Sequence, residues 1–126
     1  MKILNYLFVT IILMMSIDCD RYEYSGFTTA YIIVNESPDD IFYFNNSSLS
    51  LIKSSRELEI GTMLNNETEI ILPSEYFHKI KIYKLINDDY VLFYEQNPID
   101  NNLWESSEIS ENNFECKLIF DWKNLF

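Results

Sequence analysis

The side chains able to do chemistry are unevenly supplied: 20 Asp and Glu stand against 9 Lys and Arg, with 1 His and 2 Cys. Acid–base catalysis by paired carboxylates needs surroundings that push two pKa values apart. The adjacent pairs Asp39-Asp40 and Asp88-Asp89 instead fall in turn-like segments, and neither has the spaced ligands of a calcium loop. Both are read as solvated turns, with loose calcium binding at Asn87, Asp88 and Asp89 as the lesser alternative. His78 has no metal-ligand spacing around it and is read as an ordinary loop residue. Cys116 opens an apolar segment, where a packed thiol is expected, and no nucleophile elbow is present. With 2 glycines, the chain lacks the Gly-rich loops that bring backbone N–H groups onto a phosphate. No catalytic, cofactor-binding or metal-ligating residue is therefore assigned, and the chain is read as a non-enzyme.

The charge bears on partners. A net charge of -11 argues against nucleic acid, whose binding is driven by Lys and Arg releasing counterions from phosphates. A basic macromolecule fits better. At 48% hydrophobic and 16% aromatic residues the chain can bury a core and is no disordered acidic tail. Its 126 residues make one domain the default.

The N-terminus reads as an address. Lys2 precedes the mostly apolar residues 3–15 (ILNYLFVTIILMM), and the sequence turns polar at Asp18, Asp20, Arg21 and Glu23. The run is shorter than the roughly 20 apolar residues a membrane-crossing helix requires. It has the layout of a secretory signal. Cys19 just beyond it is similar to the modified cysteine of a bacterial lipobox, although Ser16 and Asp18 stand where that motif has a Leu-like and a small residue. Lipidation of Cys19 is the favoured reading; a Cys19–Cys116 disulfide or two independent thiols are the alternatives. The expected division is a signal over residues 1–18, a tether over 19–26 and a folded domain over 27–126. Cleavage before Cys19 removes Lys2 and Asp18 together, so the acidity of -11 stays with the domain.

The rest of the chain is patterned as strands. Residues 27–35 (FTTAYIIVN), 40–45 (DIFYFN), 49–51, 58–64, 79–86 (KIKIYKLI), 90–95 (YVLFYE) and 116–122 (CKLIFDW) are rich in β-branched and aromatic residues. Asn65 and Asn66 predict a hairpin that leads into a further strand over 67–72 (ETEIIL). The alternation of residues 79–86 breaks at Tyr83, which suggests a bulge. The polar residues 96–113 are expected to be a connection with one helical turn around 106–109. Turn signals at regular spacing, without an amphipathic helix, predict an all-β fold: an antiparallel β-sandwich, immunoglobulin- or transthyretin-like, of about seven strands. Most aromatic residues lie in these strands and are assigned to the core. Trp104 stands in polar surroundings, where it either folds back over one end of the sandwich or displays an indole as a candidate partner contact.

The chain resembles small uncharacterised lipoproteins of Bacteroidetes: a signal ending near a cysteine followed by acids (CDRYEY), a strand, turn and aromatic strand (YIIVNESPDDIFYF), then a lysine- and tyrosine-bearing hairpin (KIKIYKLINDDYVLFYE). The resemblance implies a lipid-anchored protein of the outer membrane or periplasm and supplies no activity. Two roles are expected: a non-catalytic binding or structural module held to the membrane by lipid on Cys19, or an acidic immunity-type inhibitor of a basic toxin. The module would hold its partner by sheet edges, Trp104 or residues 96–113, whereas the inhibitor's charge of -11 would steer it onto a protein partner with a basic surface.

Overall fold

Two four-stranded sheets pack face to face, in the strand orders β4-β1-β8-β7 and β3-β2-β5-β6. The structure, a computed structural model, describes residues 26–65 and 69–121. In chain order the elements are β1 (Phe27–Asn35), β2 (Ile41–Phe44), β3 (Leu49–Ile52), β4 (Arg56–Asn65), a four-residue helix α1 (Pro73–Tyr76), β5 (Ile80–Ile86), β6 (Asp89–Gln96), a 3₁₀ turn (Asn101–Leu103), β7 (Glu105–Ser110) and β8 (Asn113–Phe120). The all-β sandwich expected from the patterning is present, with eight strands among the described residues where about seven were expected. The leader, Cys19, the tether through residue 25, Asn66 and Trp122 lie outside the described residues. No helix among the described residues is long and apolar enough to cross a membrane.

Alternation places the core. On the first sheet, Tyr31, Ile33, Cys116, Leu118 and Phe120 point inward; on the second, Ile41, Tyr43, Ile52, Ile80 and Ile82 meet them. Cys116 is the packed thiol expected, with Ser106 Oγ 3.5 Å from its sulfur. The sheets are antiparallel with one exception. β1 and β8 lie side by side in parallel at the centre of the first sheet, in register from Thr28↔Asn113 to Asn35↔Phe120. The unbroken apolar run Ile32-Ile33-Val34 suits such a central position.

Local turn chemistry sets the hairpins. Asn87 and Asp88 both have positive φ, 52° and 67°, and join Ile86 to Asp89 as the two-residue turn whose twist matches the β5–β6 ribbon. Asn112, at φ 64°, turns β7 into β8. The expected irregularity at Tyr83 is a register shift between Ile82 and Tyr83, and the extra residue on β6 is Phe93.

Two local expectations are corrected. Asn65 does not open a hairpin into a strand: β4 pairs with β1, and residues 69–72 are not strand. Their backbone finds partners elsewhere, since Ile71 O accepts the Tyr31 hydroxyl at 2.8 Å and the Ile71 N–H lies 3.5 Å from Thr29 Oγ1. Residues 106–109 form no helical turn; they belong to β7, whose side chains are exposed throughout and which forms because β8 offers it a backbone edge. Of the two readings of Trp104, the structure takes the first: at 6% exposed, its indole folds back over the core and is not displayed to a partner.

One end of the sandwich is closed by aromatic packing. Tyr31 stacks on Tyr76 at 4.8 Å and meets Phe77 and Trp104 edge-on at 5.2 and 6.5 Å between ring centroids. Gly61 on β4 makes room: a Cβ there would lie 2.6 Å from Tyr76 Cε1. Asn101 ties the 3₁₀ turn to α1, accepting from the Ser74 N–H at 2.9 Å and donating to Ser74 Oγ at 2.8 Å.

Burial pushes the hydroxyls of Tyr31, Tyr43 and Tyr94 above their ordinary 10.0 and the Cys116 thiol above 9.0. These groups hold their protons more tightly folded than unfolded. Their stabilising contribution is complete below the unfolded values and is lost as pH climbs toward the folded ones. The urea midpoint is therefore expected to hold steady near about pH 8 and to fall by about pH 11, with tyrosinate absorbance appearing together with unfolding. A full tyrosinate signal from protein that is still folded would contradict this.

Candidate functional site

The two outer faces differ in where their charge lies. On the first sheet, charge is interleaved with apolar residues: Glu57 and Glu59 on β4 stand opposite Val34 and Ile32, and on the other flank Lys117 stands opposite Ile32. Lys117 Nζ lies 3.8 Å from Glu57 and 3.7 Å from Glu115, bridging the sheet across its surface. Ion pairs of this kind suit a face open to water.

The second sheet departs from that pattern. Along β2, Ile41 and Tyr43 are buried while Phe42 and Phe44 are only half-buried, so the latter two point away from the core. Register carries their face across the sheet. Phe42 stands opposite Leu51 and Tyr83, Phe44 opposite Leu49, Tyr83 opposite Leu92, and Leu85 opposite Tyr90. Ring contacts confirm the shared side, with centroids 5.1 Å apart for Phe42–Tyr90 and 6.1 Å for Phe44–Tyr83. Leu51, Leu85 and Tyr90 are 46%, 49% and 52% exposed, so no element of this chain among the described residues covers them. Charge enters the face at one end, where Lys81 stands opposite Glu95. Scattered exposed apolar side chains are ordinary, but a contiguous set across four strands makes this face the candidate interaction surface.

The opposite end of this face is acidic. Asp39 and Asp40, just before β2, line a groove of about 530 Å³ together with Phe42, Lys84, Leu85 and Ile86. Asp88 in the adjoining β5–β6 turn and Asp89 at the start of β6 are exposed. Lys84 Nζ lies 3.5 Å from Asp39 and 4.6 Å from the centroid of the Phe93 ring, which draws it toward the mouth between the sheets. Among the described residues, no other basic side chain pairs with these four carboxylates.

The loop bearing Asp39 and Asp40 is held from beneath. Asn35 is fully buried at the end of β1, and its amide donates to Asp39 O at 2.8 Å and Ile52 O at 2.9 Å. Its carbonyl oxygen accepts from the Ser37 N–H at 3.1 Å and Ser37 Oγ at 2.6 Å. Ser54 adds a second tie, donating its N–H to Asp40 Oδ1 at 3.0 Å and its hydroxyl to Ser37 O at 2.6 Å. The acidic end is thus placed by a polar knot that links the last residue of β1 to the end of β3.

The sequence-read candidates do not converge on one place. Trp104 lies in the core, and Cys19 lies outside the described residues. His78 is exposed between α1 and β5, and the described residues contain no group of three or more His, Cys, Asp or Glu arranged to hold a metal ion. Asp39-Asp40 and Asp88-Asp89 are exposed turns, as read, but the fold gathers them at one end of the apolar face. That face escaped the linear reading because inward and outward aromatic residues look alike until the covering sheet is known. Compared with the known protein families, with characterised proteins and with solved structures, the chain matches none.

Proposed function

We propose that this chain is an exported, lipid-anchored, non-catalytic binding module of the cell envelope, meeting its partner through the outer face of the second sheet. The observation that carries the binding role is the uncovered apolar face centred on Phe42, Leu85 and Tyr90, which runs across all four strands of the second sheet. Export rests on Lys2, the apolar residues 3–15 and the polar switch at Asp18. Anchoring rests on Cys19. Each buried CH₂ of an attached chain contributes about 0.8 kcal/mol, and two chains hold a domain at a membrane stably.

Mass spectrometry of the mature N-terminus from native membranes tests the anchor. A diacylglyceryl adduct on Cys19 is the expected result. An uncut chain in the cytosol, or an intact Cys19–Cys116 bridge, overturns it. The second reading, an immunity-type inhibitor of a basic toxin, is favoured by the net charge of -11 and by the four carboxylates at one end of the face. A toxin gene beside this one would support it, whereas neighbours for outer-membrane or polysaccharide uptake would support the module.

A further inference from the structure

Resting on the binding-module reading, we propose that the second sheet's outer face docks a cationic protein surface, which lays apolar side chains over Leu51, Leu85 and Tyr90 and places one Lys or Arg side chain in the groove beside Asp40 and Phe42. Charge selects this occupant. The acidic end of the face presents Asp39, Asp40, Asp88 and Asp89 against two lysines: Lys84, whose charge is already met by Asp39, and exposed Lys53, which follows β3 beside Asp40. A second copy of the chain would bring the same carboxylates and a net charge of -11 against their like. An anionic bilayer is repelled for the same reason.

The groove has the chemistry for a cationic side chain. Its volume of about 530 Å³ is open beside an aromatic ring, Phe42, and a carboxylate, Asp40. A long Lys or Arg stem packs along apolar surface while its head stays with carboxylate and water. An ammonium or guanidinium over a ring face gains cation–π attraction as well. The Ser54 N–H fixes Asp40 Oδ1 at 3.0 Å, which leaves Oδ2 for the incoming group. Apolar contact supplies the affinity of such an interface, while the carboxylates select the partner and speed its arrival.

The test is a chemical-shift titration of the full-length protein with a short amphipathic Leu/Lys peptide and, in parallel, with its Leu/Glu counterpart. The Leu/Lys peptide is expected to shift Phe42, Leu51, Leu85 and Tyr90, and the Leu/Glu peptide to leave them in place. Binding is expected to weaken about tenfold in an Asp40→Asn, Asp88→Asn, Asp89→Asn variant, and by at least as much in Leu85→Glu. These positions are exposed, so the variants keep the fold, and an unchanged urea midpoint checks that. Equal binding of both peptides on this face would sink the cationic partner and leave the binding module standing. Shifts confined to the first sheet would sink the assignment of the face. Concentration-dependent dimerisation through Leu85 and Tyr90, or docking of the face on phosphatidylcholine vesicles without response to either peptide, would replace the partner with a second copy or a lipid surface.

Discussion

Replacing Asn35 by alanine is expected to destabilise the domain by about 3 to 5 kcal/mol, a large part of the total stability of a domain this size. Asn35 is fully buried and makes four hydrogen bonds. Truncation removes the donor from the carbonyls of Asp39 and Ile52 and the acceptor from the Ser37 N–H, and each buried group left unpaired costs about 1 to 3 kcal/mol. With Asn35 Oδ1 gone, the single Ser37 hydroxyl proton is released to Asp39 O, 3.0 Å away, so that carbonyl keeps one partner and the loss stays below the sum. Asn35→Asp is a sharper variant. It preserves shape and the acceptor for Ser37 but points a second acceptor at two carbonyls, so it is expected to be at least as damaging near neutral pH. Chemical denaturation measures both. A loss under about 1 kcal/mol for Asn35→Ala would show that the knot is not what holds β1 to the end of β3. Because the same knot carries the loop of Asp39 and Asp40, a variant that remains folded is also expected to lose part of its affinity for cationic peptide.

Trp104→Ala is expected to cost about 3 to 5 kcal/mol, through a cavity where the indole now closes one end of the sandwich. The ring stacks on Phe77 with 6.1 Å between centroids and meets Tyr31 edge-on, so its removal unsupports the cluster that also seats Tyr76. Its polar edge matters less. The indole N–H donates to Gln96 Oε1 at 3.2 Å, but that oxygen also accepts from the Asp100 N–H at 3.2 Å, and the Gln96 amide donates to Tyr94 at 2.6 Å. Gln96 thus stays satisfied when the indole leaves. Trp104→Phe is accordingly expected to lose about 1 to 2 kcal/mol, mostly from reduced volume. Thermal or urea unfolding of the pair gives the comparison. Equal losses for both variants would mean that the hydrogen bond, and not the packed ring, is what matters. A Trp104→Ala protein of wild-type stability that had lost a partner would restore the indole as a surface anchor.

Much of the architecture was legible in the residues themselves. The β-branched and aromatic residues of 27–35, the aromatic run at 41–44 and the alternation that breaks at Tyr83 located β1, β2 and the irregularity in β5, because these signals depend only on residue type and on near neighbours in the chain. Positive-φ turns at Asn87-Asp88 were marked by residue types that tolerate that conformation. β7 was not legible. Its sequence ESSEIS has no apolar face, and it is a strand because β8 lies beside it with free backbone groups. The run at 67–72 misled in the other sense: β-rich composition indicates a residue that suits a sheet, not one that has found a pairing edge, and there the side chains of Tyr31 and Thr29 take up the backbone of Ile71.

The sequence by itself determined the all-β class, the position of most strands, the acidity and the lack of a Gly-rich phosphate loop, since each of these follows from residue type or from spacing within a few residues. Tertiary structure decided which strands are neighbours, that β1 and β8 run parallel, that Trp104 faces inward, and that Phe42, Leu85 and Tyr90 share an uncovered face ending in four carboxylates. The physical reason is that burial belongs to a pair of surfaces. Whether an aromatic side chain is core or contact depends on what lies over it, and what lies over it is supplied by segments dozens of residues away.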